Sequence, residues 1–107
     1  MARLVTIVAD DYGIGPETSR GILELARAGA LTATVLIVNC PDSEDAVRKW
    51  QAARPAVDLG WHPNLTLDFP VSPREEVPSL VADDGKFWPL GQFLKRLALG
   101  RIRERDA

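Results

Sequence analysis

Residues 3–9, RLVTIVA, form a nearly unbroken apolar and β-branched run that stops at two adjacent carboxylates, Asp10 and Asp11. Such a run predicts a strand covered on both faces, as in a parallel sheet, because a solvated face would impose alternation. Gly13 and Gly15 break the run, and Pro16 suits the first turn of a helix. In the stretch that follows, PETSRGILELARAG, Ile22, Leu23, Leu25 and Ala26 gather on one side and Gly29 supplies a stop. A second strand is predicted over 33–39, ATVLIVN. After the turn at Cys40 and Pro41, Asp42 with Asp45 three residues on reads as an N-cap with its partner, opening a helix SEDAVRKWQAAR that Pro55 ends. A third strand is predicted over 56–62, AVDLGWH.

Three successive strand-then-helix or strand-then-loop segments predict an α/β fold, with parallel strands joined by right-handed crossovers, as one domain over residues 1–107. The pattern changes downstream. SLVADDGKFW reads as a small β-hairpin around Asp84 and Gly85, with Leu80, Val81, Phe87 and Trp88 on its arms. An amphipathic helix is expected from about Leu90, with Phe93, Leu94 and Leu97 at helical intervals.

Composition narrows the class of function. Thirteen basic and 15 acidic side chains leave a formal charge of -2 and a pI near 5.3, which gives no electrostatic ground for nucleic acid or an anionic membrane surface. The basic tail LKRLALGRIRER reads as a solvated helix face. A single cysteine, Cys40, excludes an internal disulfide framework and fits a reducing compartment. No apolar stretch is long enough to span a bilayer and the first residues do not have the zones of a signal peptide, so the expected location is cytoplasmic.

In a parallel α/β sheet every strand delivers its C-terminal end to the same edge, where ligands gather. Strand one brings Asp10 and Asp11 there; strand three brings His62, the one histidine of the chain, with Asn64 just beyond. Two neighbouring carboxylates repel and are costly to desolvate unless a cation compensates them. Two carboxylates and an imidazole on one rim suit a divalent metal with coordination positions left for water. The plainer readings are an aspartate doublet that serves the next turn and a histidine packed beside Trp61. Three rival chemistries fit less well. Gly13 and Gly15 hint at a dinucleotide loop, but position 18 is threonine and the aspartates would repel a pyrophosphate. A phospho-receiver domain needs an aspartate at the end of strand three, where Gly60, Trp61 and His62 stand. Cys40 has no evident base beside it and reads as a small buried thiol.

VADDYGIGPETSRGILELARAGALTATVLIVN, then DLGWHPNLT, then VPSLVADDGKFW, in that order, resemble the YdjC-like carbohydrate deacetylases, the group that includes chitooligosaccharide and hopanoid-associated glycan deacetylases. The similarity runs from about Leu4 to Leu94. It implies the N-terminal part of a distorted (β/α) barrel that removes an acetyl group from an N-acetylated sugar or oligosaccharide, with a divalent metal, Mg2+ or Zn2+, held by an aspartate and two histidines. Carried over to this chain, Asp11 would be the metal-ligating carboxylate, His62 the first ligating imidazole and Asp10 the general base. Tyr12 and Gly13 would shape the turn, with Tyr12 and Asn64 at the sugar pocket, Asn64 alternatively orienting His62. Trp61 would stack on a sugar face or join the core.

Members of the family are much longer than this chain and carry their second metal histidine further on. With one histidine here, the expectation is a truncated N-terminal half of the barrel, or a homo-oligomer that survives by self-association of exposed strand edges. Pro63 departs from the aliphatic residue common after the family histidine, and stiffens that loop. The alternative from another class is a non-catalytic scaffold that keeps the strand-end motifs by inheritance.

Overall fold

A computed structural model describes residues 2–107. The chain forms two compact units, the first ending at Pro63 and the second running from Asn64 to Ala107. The first is built as β1 (Val8–Tyr12), α1 (Pro16–Arg27), β2 (Ala33–Leu36), α2 (Ser43–Ala53) and β3 (Asp58–Trp61). Its three strands are parallel and ordered β1-β2-β3. The expected α/β order with crossover helices is therefore what the chain adopts, with every strand shifted or shortened relative to the sequence pattern.

The shift of β1 bears on the site. Its ladder begins late, because Ile7 is tied to Thr32 first: Thr32 N–H donates to Ile7 O at 2.9 Å, and Thr32 Oγ1 accepts from Ile7 N–H at 2.8 Å. The strand then runs on through both carboxylates instead of stopping before them. Ala9 pairs with Thr34 and Tyr12 with Leu36, so β1 takes one more residue than β2 over that interval. The extra residue makes a β-bulge at Asp10 and Asp11, and Asp11 has φ +67. Bulges accommodate a left-handed residue and turn side chains away from strict alternation. Strand β2 ends at Leu36 because Ser43 Oγ–H bonds Ile37 O at 2.6 Å and accepts Cys40 N–H at 3.1 Å, which draws the chain into the turn before α2.

Helix α1 starts at Pro16 and ends as the glycine stop predicts. Gly29, at φ +70, donates its N–H to Ala26 O, and Ala30 N–H reaches back to Leu25 O, a Schellman closure. Ile22 and Leu23 of α1 and Ala46 of α2 bury against Tyr12, with Ala9, Leu36 and Trp50 packed around them. Leu25, expected on that side, is exposed. The helices thus cover one face of the sheet. The expectation that β1 is covered on both faces is corrected: Val8 and Asp10 are exposed, as are all four residues of β3. Asp42 is the N-cap of α2 by position, but its side chain makes no capping bond, and Asp45 instead pairs with Lys49 at 2.6 Å.

The second unit has its own small core of Val77, Leu80, Val81 and Phe87, joined by Leu65, Phe93 and Ile102. The predicted hairpin is reduced to one antiparallel bridge, Val81 with Phe87, closed by Ala82 N–H to Lys86 O and by Gly85 at φ +82. The last helix, α3 (Leu90–Ala98), begins where the pattern puts it, yet none of its residues is fully buried. The basic tail does more than solvate. Asp106 turns back in a short 3-10 segment, accepts the N–H and Oγ–H of Ser79 at 3.0 and 2.6 Å, and holds Arg103 Nε at 3.2 Å. Those hydrogen bonds, Ser79's above all, keep the Asp106 carboxyl below the usual carboxylate range.

Candidate functional site

The sequence expectation was that topology alone brings the carboxylate doublet and the histidine to one rim. The parallel register does this for Asp11 and His62. β3 continues one hydrogen bond past its last ladder residue, His62 N–H to Leu36 O at 2.9 Å, while Tyr12 is the β1 partner of that same Leu36. His62 Nδ1 consequently stands 3.3 Å from Asp11 Oδ1. The nitrogen is buried and has no hydrogen bond.

A buried ring nitrogen facing a carboxylate oxygen without a hydrogen bond between them is an unfinished arrangement, since buried polar atoms are ordinarily satisfied. Two donors that share one ion at about 2.0–2.2 Å from each lie roughly 3 Å or slightly more apart. Oxygen plus imidazole nitrogen at that separation fits a divalent metal. It fits only in part: among the described residues no group of three or more His, Cys, Asp or Glu side chains is close enough to hold an ion together. Asp11 and His62 are a pair, and Asp10 is exposed beside them in the bulge, outside any such cluster.

Tyr12, Gly13, Trp61 and Asn64 each have defined local surroundings. Tyr12 is 0% exposed, its hydroxyl donates to Ala46 O at 2.7 Å and its ring meets Trp50 edge-on at 5.2 Å. Burial and the neighbouring Asp42 push the phenol upward in pKa. Tyr12 belongs to the core, which corrects the expectation that it contacts a substrate. Gly13 does shape the turn: at φ +92, a Cβ there would come 2.9 Å from a Leu36 methyl and 3.0 Å from Ile37 O. Trp61 is 68% exposed and pairs with Leu36, whose side chain packs on the helix side, so alternation puts Trp61 on that side as well. Asn64 opens the second unit by folding its own turn, with Oδ1 accepting from Thr66 and Leu67 N–H and Nδ2 donating to Leu67 O at 2.9 Å.

Sequence reading passed over the residues that hold the bulge. Thr34 Oγ1–H bonds Ala9 O at 2.7 Å, just before the carboxylates. Just after them, Gly13 N–H donates to Ser19 Oγ at 3.0 Å, and Ser19 Oγ–H donates to Asp42 Oδ2 at 2.8 Å. Ser19 and Thr34 are both buried. The available signal was small polar residues at helix-facing positions, Ser19 beside Ile22 and Leu23 and Thr34 within the second apolar run.

Three parallel strands in sequential order, with a carboxylate and an imidazole at the C-terminal ends of β1 and β3, match the N-terminal part of a (β/α) barrel. The model of the family described as YdjC-like protein matches residues 4–106, and the chain belongs to that family. It is similar to the carbohydrate deacetylase of Enterococcus faecalis, 35% identical over 98 residues that cover 90% of this chain and 37% of that protein. The carbohydrate deacetylase of Mus musculus is 37% identical over 101 residues, 94% of this chain and 32% of its own. A crystal structure from Enterococcus faecalis, described as a cellobiose-phosphate cleavage protein, superposes with a TM-score of 0.79 at 33% identity over 94% of this chain and 39% of that one. The chain therefore spans about a third of the length of the relatives it matches.

Proposed function

We propose that this chain carries the N-terminal share of a metal-dependent carbohydrate N-deacetylase, with Asp11 and His62 as metal ligands and Asp10 as general base. The observation that supports it best is the unbonded His62 Nδ1 held 3.3 Å from Asp11 Oδ1. The relatives named as carbohydrate deacetylases support an acetylated sugar as substrate, and the reading proposed here narrows it to an N-acetylated sugar or oligosaccharide. A bound Zn2+ or Mg2+ would polarise the acetyl carbonyl and lower the pKa of a water beside it.

The carboxylate doublet then has a division of labour. In a regular strand, adjacent side chains point to opposite faces, so two neighbouring acids could not serve one centre. The bulge relaxes that constraint. Asp11 faces His62, while Asp10, exposed and outside the pair, is free to take the proton of the attacking water at a carboxylate oxygen. The water oxygen adds to the acetyl carbon, the proton taken up by Asp10 passes to the amide nitrogen as the C–N bond breaks, and acetate and the sugar amine leave. The test is calorimetric titration of the chain with Zn2+ and with Mg2+, comparing wild type, Asp11→Ala and His62→Ala. Loss of binding in both variants is expected; equal binding by all three proteins defeats the ligand assignment. Acetate release from N-acetylglucosamine oligomers is measured separately.

A second reading is favoured by the exposure of Leu59 and Trp61 on β3. It is a self-associating α/β protein in which the unpaired edge of β3 meets another copy. Sedimentation velocity over a hundredfold concentration range tests it, and a single monomeric species throughout would end it.

A further inference from the structure

The bulge raises a physical question that the ligand assignment leaves open: what keeps Asp11 in a left-handed backbone conformation? A non-glycine residue there is disfavoured by roughly 1 kcal/mol or more, and local contacts must over-determine it. The strand groups that the bulge displaces are taken by side-chain hydroxyls. On the near side Thr34 bonds Ala9 O. On the far side the Gly13 N–H, two residues past Asp11, ends on Ser19 Oγ. A hydroxyl can rotate, so it is a poor anchor unless its own proton is committed. Here it is, because Ser19 Oγ–H points to Asp42 Oδ2 at 2.8 Å. Asp42 in turn is fixed at the start of α2, where Ala46 N–H bonds its backbone carbonyl at 2.9 Å. The α2 N-cap thereby forgoes its usual capping bond and spends its carboxylate on the loop after β1.

We propose that Ser19 and Asp42 are positioning residues for Asp11: a hydroxyl–carboxylate pair, with Ser19 buried, that fixes the Gly13 peptide and so aims the Asp11 carboxylate at His62. Among the described residues, neither forms a hydrogen bond or ion pair with Asp11 or His62. The inference rests on the reading of Asp11 and His62 as metal ligands, and it predicts that ligand affinity depends on residues that supply no donor. Outer partners of metal ligands typically govern affinity by 10- to 100-fold. Asp42 acts here by geometry, so an amide that accepts the same Ser19 proton restores it.

Zn2+ affinity is measured by calorimetry for wild type, Asp11→Ala, Ser19→Ala, Asp42→Ala and Asp42→Asn, with Ser79→Ala as a control that removes a hydroxyl of the second unit. Melting temperatures are recorded alongside. The expected result is roughly tenfold weaker binding for Ser19→Ala and Asp42→Ala, near wild-type binding for Asp42→Asn, and no change for Ser79→Ala. If Ser19→Ala and Asp42→Ala bind as wild type does while Asp11→Ala does not, the positioning role is wrong and the ligand assignment stands. If Asp42→Asn falls as far as Asp42→Ala, charge is acting and geometry is not, which also overturns the proposal. If wild type and Asp11→Ala are indistinguishable, the ligand reading fails and this inference falls with it. Should Ser19→Ala not fold, the two Asp42 variants decide.

Discussion

His62 Nδ1 stands 3.3 Å from Asp11 Oδ1 with no hydrogen bond between them, at the place where β3 has just passed its last ladder residue and β1 is bulged. A salt link would align the N–H with the oxygen lone pair. Two donors waiting for a third party do not need to. On the reading proposed above, this is the geometry of a ligand pair and not of a structural ion pair.

The turn that follows the bulge needs a glycine at position 13. At φ +92 with Ile37 O 3.0 Å from the position of a Cβ, an added methyl meets backbone that cannot swing away. Gly13→Ala is expected to destabilise the chain by about 2 kcal/mol or more. Urea unfolding measures it, and a midpoint equal to wild type would mean the turn relaxes without loss.

Tyr12→Phe separates core from substrate contact. Removing the hydroxyl leaves Ala46 O without the bond it receives at 2.7 Å, at a cost of about 1–2 kcal/mol. Thermal melting should record that loss, while Zn2+ titration should not change. A variant with wild-type stability but altered metal or sugar binding would return Tyr12 to the site.

Asp106 gives the second unit a pH dependence. Its carboxyl is held below the usual range by the Ser79 hydroxyl bond first, with Ser79 N–H and Arg103 adding to it. A depressed folded-state pKa means stability that is fully present above the unfolded carboxylate range, near pH 4, and is lost as pH falls through the lower folded value. Asp106→Asn keeps an acceptor for Ser79 but gives up the charge. Its melting temperature should lie below wild type at neutral pH and converge with it in acid. A gap of constant size down to pH 2 would contradict this account.

The unpaired edge of β3 is the natural place to test self-association. Trp61 is 68% exposed, so Trp61→Lys should alter monomer stability by no more than about 0.5 kcal/mol. A charge on an edge strand opposes further pairing. Sedimentation should show the variant monomeric where wild type assembles; equal assembly by both would move the contact away from that edge.

The residue pattern alone determined the order of elements, and the reasons are local. Pro16 and Gly29 bound α1, Pro55 follows α2, Gly85 turns the hairpin, and the apolar spacing from Leu90 makes α3. It also determined that Asp11 and His62 share a rim, since parallel strands put their C-terminal ends together whatever their exact lengths. Among the points it misjudged were the ends of the strands, the covering of β1 and the place of Tyr12. The run RLVTIVA has no mark telling where pairing with β2 begins. That is decided by Thr32, which clasps Ile7 and delays the ladder.

Only the tertiary structure decided the bulge. An extra residue in one strand is invisible to a period-two pattern, because it exists only as a mismatch between Ala9–Tyr12 and Thr34–Leu36. The bulge fixes which side of the sheet each neighbour faces: Tyr12 goes in under α2, and Asp11 goes toward His62. The roles of Ser19, Thr34 and Asp42 were decided in the same way: small polar residues within apolar patterns, or an aspartate before a helix, mark a candidate, and only folding brings the partner within reach. Chain order set which chemical groups arrive at the rim; packing between strands and helices set which way they point.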